Sequence, residues 1–363
     1  MMKENEQENV EQNIYINNVN EFKTKNKELL QIVNVFCNSF DKTLVRINHK
    51  KQLHRALSDV FALILTANEI ERETLFAYFT SRRDTSTIVR GRIIEKYPYN
   101  GMVYSCFYIN DIKVVHVEPE MTGSYSWGGT AETLEKAIKV VKPSVVISLG
   151  VAFGNDIKKQ KMGDVLVGRQ FFAYDKSVKM KGHKLDIKKL HVYESDENLR
   201  YKMKSCMMFE SKTKGLFGNE FQAHIGNILT GEYVIDSEDF RDVIFKPFKA
   251  FGIIGGEMEA FGMFSVLKKN NERRKWSQVH GIMIKGICDW AAGKNSPSLS
   301  DPENTKKAEE EKNDLQVLAM CNACSVCEKL LCQKKFFSDY RTRGMKKRFW
   351  RYVKNIKNLF VKK

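Results

Sequence analysis

Three acidic residues stand out because each lies among apolar residues. Glu257 and Glu259 lie near the start of the stretch Gly255–Lys294, and Asp289 ends an apolar run near its close. Burying a carboxylate is costly unless it is paired, hydrogen-bonded or protonated. Carboxyl groups in such surroundings can serve as general acids or bases. This stretch is therefore the first place where the sequence predicts chemistry.

A fourth acid, Glu71, follows an apolar run at residues 60–67 that is typical of a buried strand. Asn68 can cap the helix that this run leads into, and Glu71 stands three residues later, at the spacing of a capping box. The local sequence leaves two roles open for Glu71, a helix cap and a functional carboxylate. The same holds for the other acids: Asp289 could be a turn residue, and Glu257 and Glu259 could be exposed at a helix N-terminus.

The elements that must position these acids alternate between strand and helix. Apolar runs predict strands at 87–94, 104–109, 112–117, 144–154, 162–168 and 225–231, and periodicity predicts helices at 131–141 and 303–331. Residues 268–275 are predicted to form a charged loop, and 174–224 a loop or helical insertion. This alternation predicts an α/β fold with a mainly parallel sheet.

A loop rich in glycine and serine, residues 121–130, runs into the helix predicted at 131–141. We call it the Gly/Ser loop. Backbone N–H groups at such a helix start can hold an anion. An ordinary turn is the alternative, because many turns have this composition.

Composition allows one large domain or two ordinary ones, with reduced cysteines. The chain has 363 residues, 42% of them hydrophobic, which is enough for a sizeable core. No apolar run approaches the roughly 20 residues that span a bilayer. The eight cysteines predict reduced thiols and a cytoplasmic protein. Cys321, Cys324 and Cys327 have metal-ligand spacing, but on one helix they diverge, so we expect them to pack against the sheet and no metal to bind.

The formal net charge of +16 belongs mostly to the C-terminus. Residues 333–363 contain twelve Lys or Arg and one acid, and so carry +11. We expect an N-terminal segment at 1–55 with a polar lead and an amphipathic helix at 26–40, a catalytic domain at 56–333, and a basic amphipathic tail at 334–363. The tail could be a solvated appendage, lie on an anionic membrane, or contact a partner or nucleic acid.

Six segments in chain order resemble the purine/uridine phosphorylase superfamily: Ala67–Glu71, Gly150–Gly154, Gly163–Val167, Thr230–Ile235, Glu257–Ala260 and Lys285–Lys294. Within it, the chain is similar to the branch of methylthioadenosine/S-adenosylhomocysteine nucleosidases, and more so to the effector domains of immune proteins. The resemblance spans residues 57–333. It implies a three-layer α/β/α fold with a mixed central sheet, and an enzyme that breaks the N-glycosidic bond of a purine nucleoside or nucleotide.

The resemblance also implies roles for individual residues. Asp289 matches the acid that protonates the purine at N7, and Glu71 matches the carboxylate that activates water. Glu259, with Met258, matches the pair beneath the ribose.

Further substrate contacts are expected from Glu257, from the turn Val151–Ala152, and from Val234 and Ile235, which match residues that cradle the base. Four positions depart from the nucleosidases: Val151 and Cys288 replace Ser, Lys285 replaces Arg, and Glu232 replaces Asp.

Cleavage of such a bond through an oxocarbenium-like state needs an acid at the leaving base and a base for water. Hydrolysis of an adenosine- or ATP-like substrate without a cofactor is the favoured reaction. Phosphorolysis at the same site and a catalytically silent nucleoside-binding scaffold are the alternatives. The resemblance further suggests a homodimer or higher homo-oligomer, and an immune effector role.

Overall fold

The structure is a computed structural model that describes residues 50–80, 94–109, 112–181, 184–206, 213–216, 218–235, 237–273, 278–291 and 302–333, with short pieces at 21, 24, 42–44, 83–84 and 87–88. The predicted helix at 26–40 and the basic tail at 334–363 lie outside these residues. The boundaries proposed near 55 and 333 stay predictions.

The described residues form seventeen strands. They are β1 Lys42–Leu44, β2 Ala62–Leu65, β3 Arg83–Asp84, β4 Thr87–Ile88, β5 Ile94–Tyr99, β6 Met102–Ile109, β7 Ile112–Val117, β8 Val145–Gly154, β9 Val165–Ala173, β10 Val178–Lys181, β11 Lys184–Ile187, β12 Val192–Glu194, β13 Thr213–Lys214, β14 Glu220–Phe221, β15 Ala223–Thr230, β16 Ile253–Glu257 and β17 His280–Asp289. The large sheet has the order β1-β5-β6-β7-β2-β8-β16-β15-β9-β12.

Helices follow or separate these strands. They are α1 Lys50–Ala56, α2 Glu69–Thr80, α3 Thr130–Val141, α4 Tyr174–Ser177, α5 Glu197–Cys206, α6 Glu238–Phe245, α7 Ala260–Arg273 and α8 Pro302–Leu331, with a 3-10 helix at Lys246–Phe251. No helix in the described ranges is both long and apolar enough to cross a bilayer.

The centre of the sheet closes on itself. β17 pairs with β8 in parallel and with β9 antiparallel. β9 pairs with β15, β15 with β16, and β16 returns antiparallel to β8. Five strands therefore form a ring, and their parallel and antiparallel pairs confirm the mixed sheet that the family resemblance implied, rather than a mainly parallel one.

Two faces of the sheet are covered by helices. Along β2, Ala62 and Ile64 pack with residues of α2 and α8, whereas Leu63 and Leu65 pack with residues of α3 and α7. Side chains alternate between the two faces of a strand, so a strand that is apolar throughout is buried on both sides. The expected three-layer α/β/α architecture is confirmed.

Two predictions of local structure are wrong. The segment 174–224 contains strands β10 to β14 as well as helices, because its lysine-rich strands have little apolar alternation to reveal them. Residues 268–273 continue helix α7 instead of forming a loop, since Lys, Glu and Arg are good helix formers on a solvated face.

Candidate active site

Three of the predicted acids, Glu71, Glu257 and Glu259, lie around one buried lysine, Lys285. Register pairs Lys285 of β17 with Gly150 of β8. Glu71, in the first turn of α2, reaches the same point, because a Cβ atom at Gly150 would lie 2.4 Å from its Oε1 atom. Only glycine leaves room there for the carboxyl group.

The Glu71 carboxyl group accepts two backbone hydrogen bonds, one from a residue just after β2 and one from a residue within β8. The Ala67 N–H lies 2.6 Å from Oε2 and the Val151 N–H lies 2.8 Å from Oε1. Asn68 does cap the helix, accepting from the Glu71 N–H at 3.0 Å. The side chain of Glu71, however, is turned toward β8 and does not complete the reciprocal capping box.

Burial makes Glu71 a weaker acid than an ordinary glutamate. Its side chain is almost fully buried, and this desolvation raises its pKa to about 7. The nearby positive charge of Lys285 opposes the rise, and the charge of Glu259 adds to it. A carboxyl group with this pKa can accept a proton near neutral pH.

Lys285 is buried within the otherwise apolar strand β17 and pairs with two carboxylates. Its Nζ atom lies 2.5 Å from Glu259 Oε2 and 3.5 Å from Glu257 Oε2. Burial disfavours the charged form of Lys285 and by itself would lower its pKa. The negative charges of Glu259, Glu257 and Glu71 have the larger effect and raise the pKa of Lys285. The ammonium group therefore stays charged and anchors Glu259.

Glu257 ends strand β16 and holds the start of α7. Its Oε2 atom accepts hydrogen bonds from the N–H groups of Glu259 and Ala260, each at 2.9 Å. Burial raises its pKa, and Lys285 lowers it in part. Both Glu257 and Glu259 are buried, which excludes an exposed helix N-terminus as their setting. The sugar-contact roles predicted for the two acids stay predictions.

Asp289 ends β17 in a turn that is fixed on several sides. Its Oδ1 atom accepts from the Ala291 N–H at 2.7 Å, and Ala291 has a left-handed φ of 57°. The Cys288 thiol lies 3.3 Å from Oδ2, and Arg241 Nη1 donates to the Trp290 carbonyl oxygen at 3.2 Å. The turn role and the acid role are compatible, because Oδ1 holds the turn while the side chain is only partly buried.

The remaining predicted contacts differ in exposure. Val234 is 62% exposed, while Ile235 and Ala152 are buried in the core. Val151 is half-buried and offers its N–H to Glu71, and Met258 is half-buried with its carbonyl oxygen accepting from Ser124 Oγ at 2.8 Å. Of these five residues, Val234 has the side chain that is most exposed to solvent.

Metal ligands are not assembled in this part of the molecule. Within the described ranges, no group of three or more His, Cys, Asp or Glu side chains is arranged to hold a metal ion. Cys321, Cys324 and Cys327 are buried along α8, as expected for helix packing.

The chain resembles known proteins over part of its length. No protein-family model matches the chain. A death domain-containing ATP nucleosidase from Amphimedon queenslandica is 23% identical over 218 residues, which cover 56% of this chain and 39% of that protein. The chain thus spans well under half the length of that relative.

Solved structures match over a larger share of the chain. Futalosine hydrolase of Helicobacter pylori strain 26695 has a TM-score of 0.54 at 16% identity, covering 75% of this chain and 97% of its own. The 5′-methylthioadenosine/S-adenosylhomocysteine nucleosidase of Neisseria meningitidis, in complex with methylthio-immucillin-A, has a TM-score of 0.52 at 16% identity, with coverages of 75% and 98%. That of Colwellia psychrerythraea 34H, in complex with adenine, has a TM-score of 0.54 at 17% identity, with coverages of 76% and 95%.

The chain has the nucleosidase fold. The resemblance to the phosphorylase superfamily that the six sequence segments carried is confirmed at the level of fold.

Within this nucleosidase fold, the anchoring role of Lys285 was missed by sequence reasoning, which noted the residue only as a departure. A sequence signal was present, because Lys285 is the one charged residue between His280 and Cys288. Burial of a lone lysine in an apolar strand requires a carboxylate partner.

Proposed function

We propose that the chain is an N-glycosidase that hydrolyses a purine nucleoside or nucleotide to the free base and the ribose moiety. The observation that carries this proposal is the buried Glu71 carboxyl group, with a pKa of about 7, next to the Lys285–Glu259 ion pair. A carboxyl group with this pKa can act as the base that activates water near neutral pH.

The reaction uses the acids in separate roles. The water oxygen forms a bond to C1′ of the ribose while the C1′–N9 bond breaks. The proton of the water passes to Glu71, and the purine leaves with a proton from Asp289. Glu259 holds the ribose hydroxyl groups, and its negative charge favours the oxocarbenium-like state.

Hydrolysis is favoured over phosphorolysis by the hydrogen bonds of Glu71. A phosphate bound beside Glu71 would need hydrogen-bond donors there. The N–H groups of Ala67 and Val151 already donate to the Glu71 carboxyl group. A phosphate at this position would also meet a second negative charge when Glu71 is ionised.

A substrate panel tests the proposal. The purified protein is incubated with adenosine, methylthioadenosine, AMP and ATP, with and without phosphate, and free adenine is measured. Release without phosphate is expected. Strict dependence on phosphate would favour a phosphorylase, and binding without release from any substrate would favour a silent scaffold.

Asp289→Asn tests the role of the base-side acid. We expect adenine release to fall about 10²- to 10⁴-fold, the usual contribution of general acid catalysis, with an unchanged unfolding temperature. Asp239→Asn, on the exposed side of α6, is the matched control and should keep full activity. Full activity in Asp289→Asn would contradict the mechanism.

Features of the whole protein are part of the same proposal. The name of the Amphimedon queenslandica relative supports ATP as a substrate and, with the resemblance to immune effectors, a role as an immune effector. A cytoplasmic location is supported by six free cysteines among the described residues.

The basic tail would reach an anionic membrane or a partner. Loss of liposome binding when residues 334–363 are deleted would support the membrane.

A homodimer is supported by the exposed apolar side chains of Trp127, Tyr233 and Val234 on the loops around the site. Light scattering that gives the mass of a single chain would contradict it.

A further inference from the structure

The Gly/Ser loop holds an anion, and that anion belongs to the chain itself. The N–H groups of Ser124 and Tyr125 donate to Glu232 Oε1 at 3.0 and 2.9 Å, and the Ser126 hydroxyl group donates to Glu232 Oε2 at 2.9 Å. Glu232 thus occupies the donor set that the sequence predicted for an anion just before helix α3.

The loop backbone is shaped around this carboxylate. Gly123 has a left-handed φ of 111°, and a Cβ atom there would lie 2.7 Å from Glu232 Oε2. Glycine is therefore required both by the backbone conformation and by the approach of the carboxylate. The backbone of the Gly/Ser loop therefore fits the Glu232 carboxylate specifically.

The same loop is joined to the segment that carries Glu259. Ser124 Oγ donates to the Met258 carbonyl oxygen at 2.8 Å and accepts from the Gly262 N–H at 2.9 Å. A Cβ atom at Gly262 would lie 2.4 Å from the Ser124 carbonyl oxygen. The position of Ser124 consequently sets the start of helix α7 and the turn before it.

Glu232 is itself part of the segment that is expected to cradle the base. It directly precedes Tyr233 and Val234, and the Tyr174 hydroxyl group lies 3.1 Å from the Tyr233 carbonyl oxygen and 3.2 Å from the Tyr233 nitrogen. One carboxylate therefore connects three parts of the site: the base segment, the Gly/Ser loop and, through Ser124, the Met258–Glu259 turn.

We propose that Glu232 is a positioning residue, whose carboxylate fills the anion site of the Gly/Ser loop and thereby fixes the base segment relative to the ribose-binding turn. The proposal rests on the proposed nucleosidase function. Glu232 acts through Ser124 and does not take part in proton transfer. Removing its carboxylate leaves two N–H groups and one hydroxyl group to find other partners, and the loop is then free to shift.

The test uses Glu232→Ala, with Glu232→Asp as the conservative variant. For Glu232→Ala we expect kcat/KM for adenosine to fall about 10- to 100-fold, mostly through KM, because small displacements of binding groups have effects of this size. Glu232 is half-buried, so a small carboxylate can reach its place. Added sodium acetate should restore activity to Glu232→Ala, and Glu232→Asp should retain part of it.

A second readout does not depend on activity. Backbone amide exchange across residues 121–129 should be faster in Glu232→Ala than in the unaltered protein, and acetate should slow it again. The matched control is Glu132→Ala, which removes another carboxylate that accepts from this loop, at the Gly128 N–H at 2.9 Å. Glu132→Ala should have the same kcat/KM as the unaltered protein, and added acetate should not change that value.

The outcomes separate this inference from the proposed function. Absence of adenine release from the unaltered protein would overturn the function, while amide exchange would still decide whether Glu232 holds the loop. Unchanged KM and exchange in Glu232→Ala would overturn the positioning role. Loss of activity with a lowered unfolding temperature and no rescue by acetate would also overturn it, since that pattern indicates a general structural role.

Discussion

The ammonium group of Lys285 is buried beside the carboxyl groups of Glu259, Glu257 and Glu71. One buried positive charge cannot balance three buried negative charges. Burial raises the pKa values of Glu71 and Glu257, the charge of Lys285 opposes the rise, and the charge of Glu259 adds to it. At the residue scale, the site is therefore a set of acids whose protonation depends on one lysine.

Lys285→Met tests this dependence. Removing one member of a buried ion pair destabilises a protein by about 3–5 kcal/mol. We expect a loss of this size at pH 8 and a smaller loss at pH 5, because protonation of the carboxyl groups at the lower pH removes the unpaired charge.

Urea unfolding at both pH values measures the difference. Lys136→Met, on the exposed side of α3, is the control and should unfold like the unaltered protein. An equal loss of stability at the two pH values would show that Lys285 contributes packing alone.

At the scale of elements, the site depends on the register between β8 and β17. The pairing of Lys285 with Gly150 sets the lysine beside the residue whose missing side chain admits Glu71. Helix α2 brings Glu71 to β8 because β2 ends beside the middle of that strand, with Leu65 paired to Ser148. The four elements must therefore keep their relative positions for the Glu71 carboxyl group to keep its hydrogen bonds.

Gly150→Ala tests this convergence. The added methyl group would lie 2.4 Å from Glu71 Oε1, so the carboxyl group must move and lose its bond to the Val151 N–H. We expect adenine release to fall by about 10²-fold or more, since displacement of a catalytic group by about 1 Å has this effect.

Steady-state kinetics with adenosine measures this fall in adenine release. Ser148→Ala is the control on the same strand, because Ser148 Oγ has no hydrogen-bond partner among the described residues. If Gly150→Ala were as active as this control, Glu71 would not be held where the mechanism requires it.

At the scale of the whole molecule, much of the fold could be predicted from local patterns. Apolar runs identified β2, β8 and β17, and the strand end at Asp289. The ring of five strands could not be predicted, because it depends on pairings between segments far apart in the chain. The contact of Glu232 with Ser124 joins residues 108 positions apart, and no local pattern encodes it.

The same pKa shift that suits Glu71 for catalysis lowers the stability of the folded chain as pH rises. The folded pKa of about 7 lies above the ordinary value of 4.5, so the folded state binds this proton more tightly than the unfolded state. The resulting stabilisation is complete below about pH 4.5 and is lost as pH rises through 7, by about 1.4 kcal/mol per pH unit between these values. Activity requires the ionised carboxylate and changes in the opposite direction.

The most direct measurement is the pH dependence of kcat/KM for adenine release in phosphate-free buffer, for the unaltered protein and for Glu71→Gln. Glu71 acts as a base only after it loses its proton, so kcat/KM should rise with pH through an apparent pKa of about 7. Glu71→Gln should be nearly inactive, without this rise. A profile that is flat through pH 7, or a Glu71→Gln variant that keeps the activity and the profile of the unaltered protein, would contradict the account.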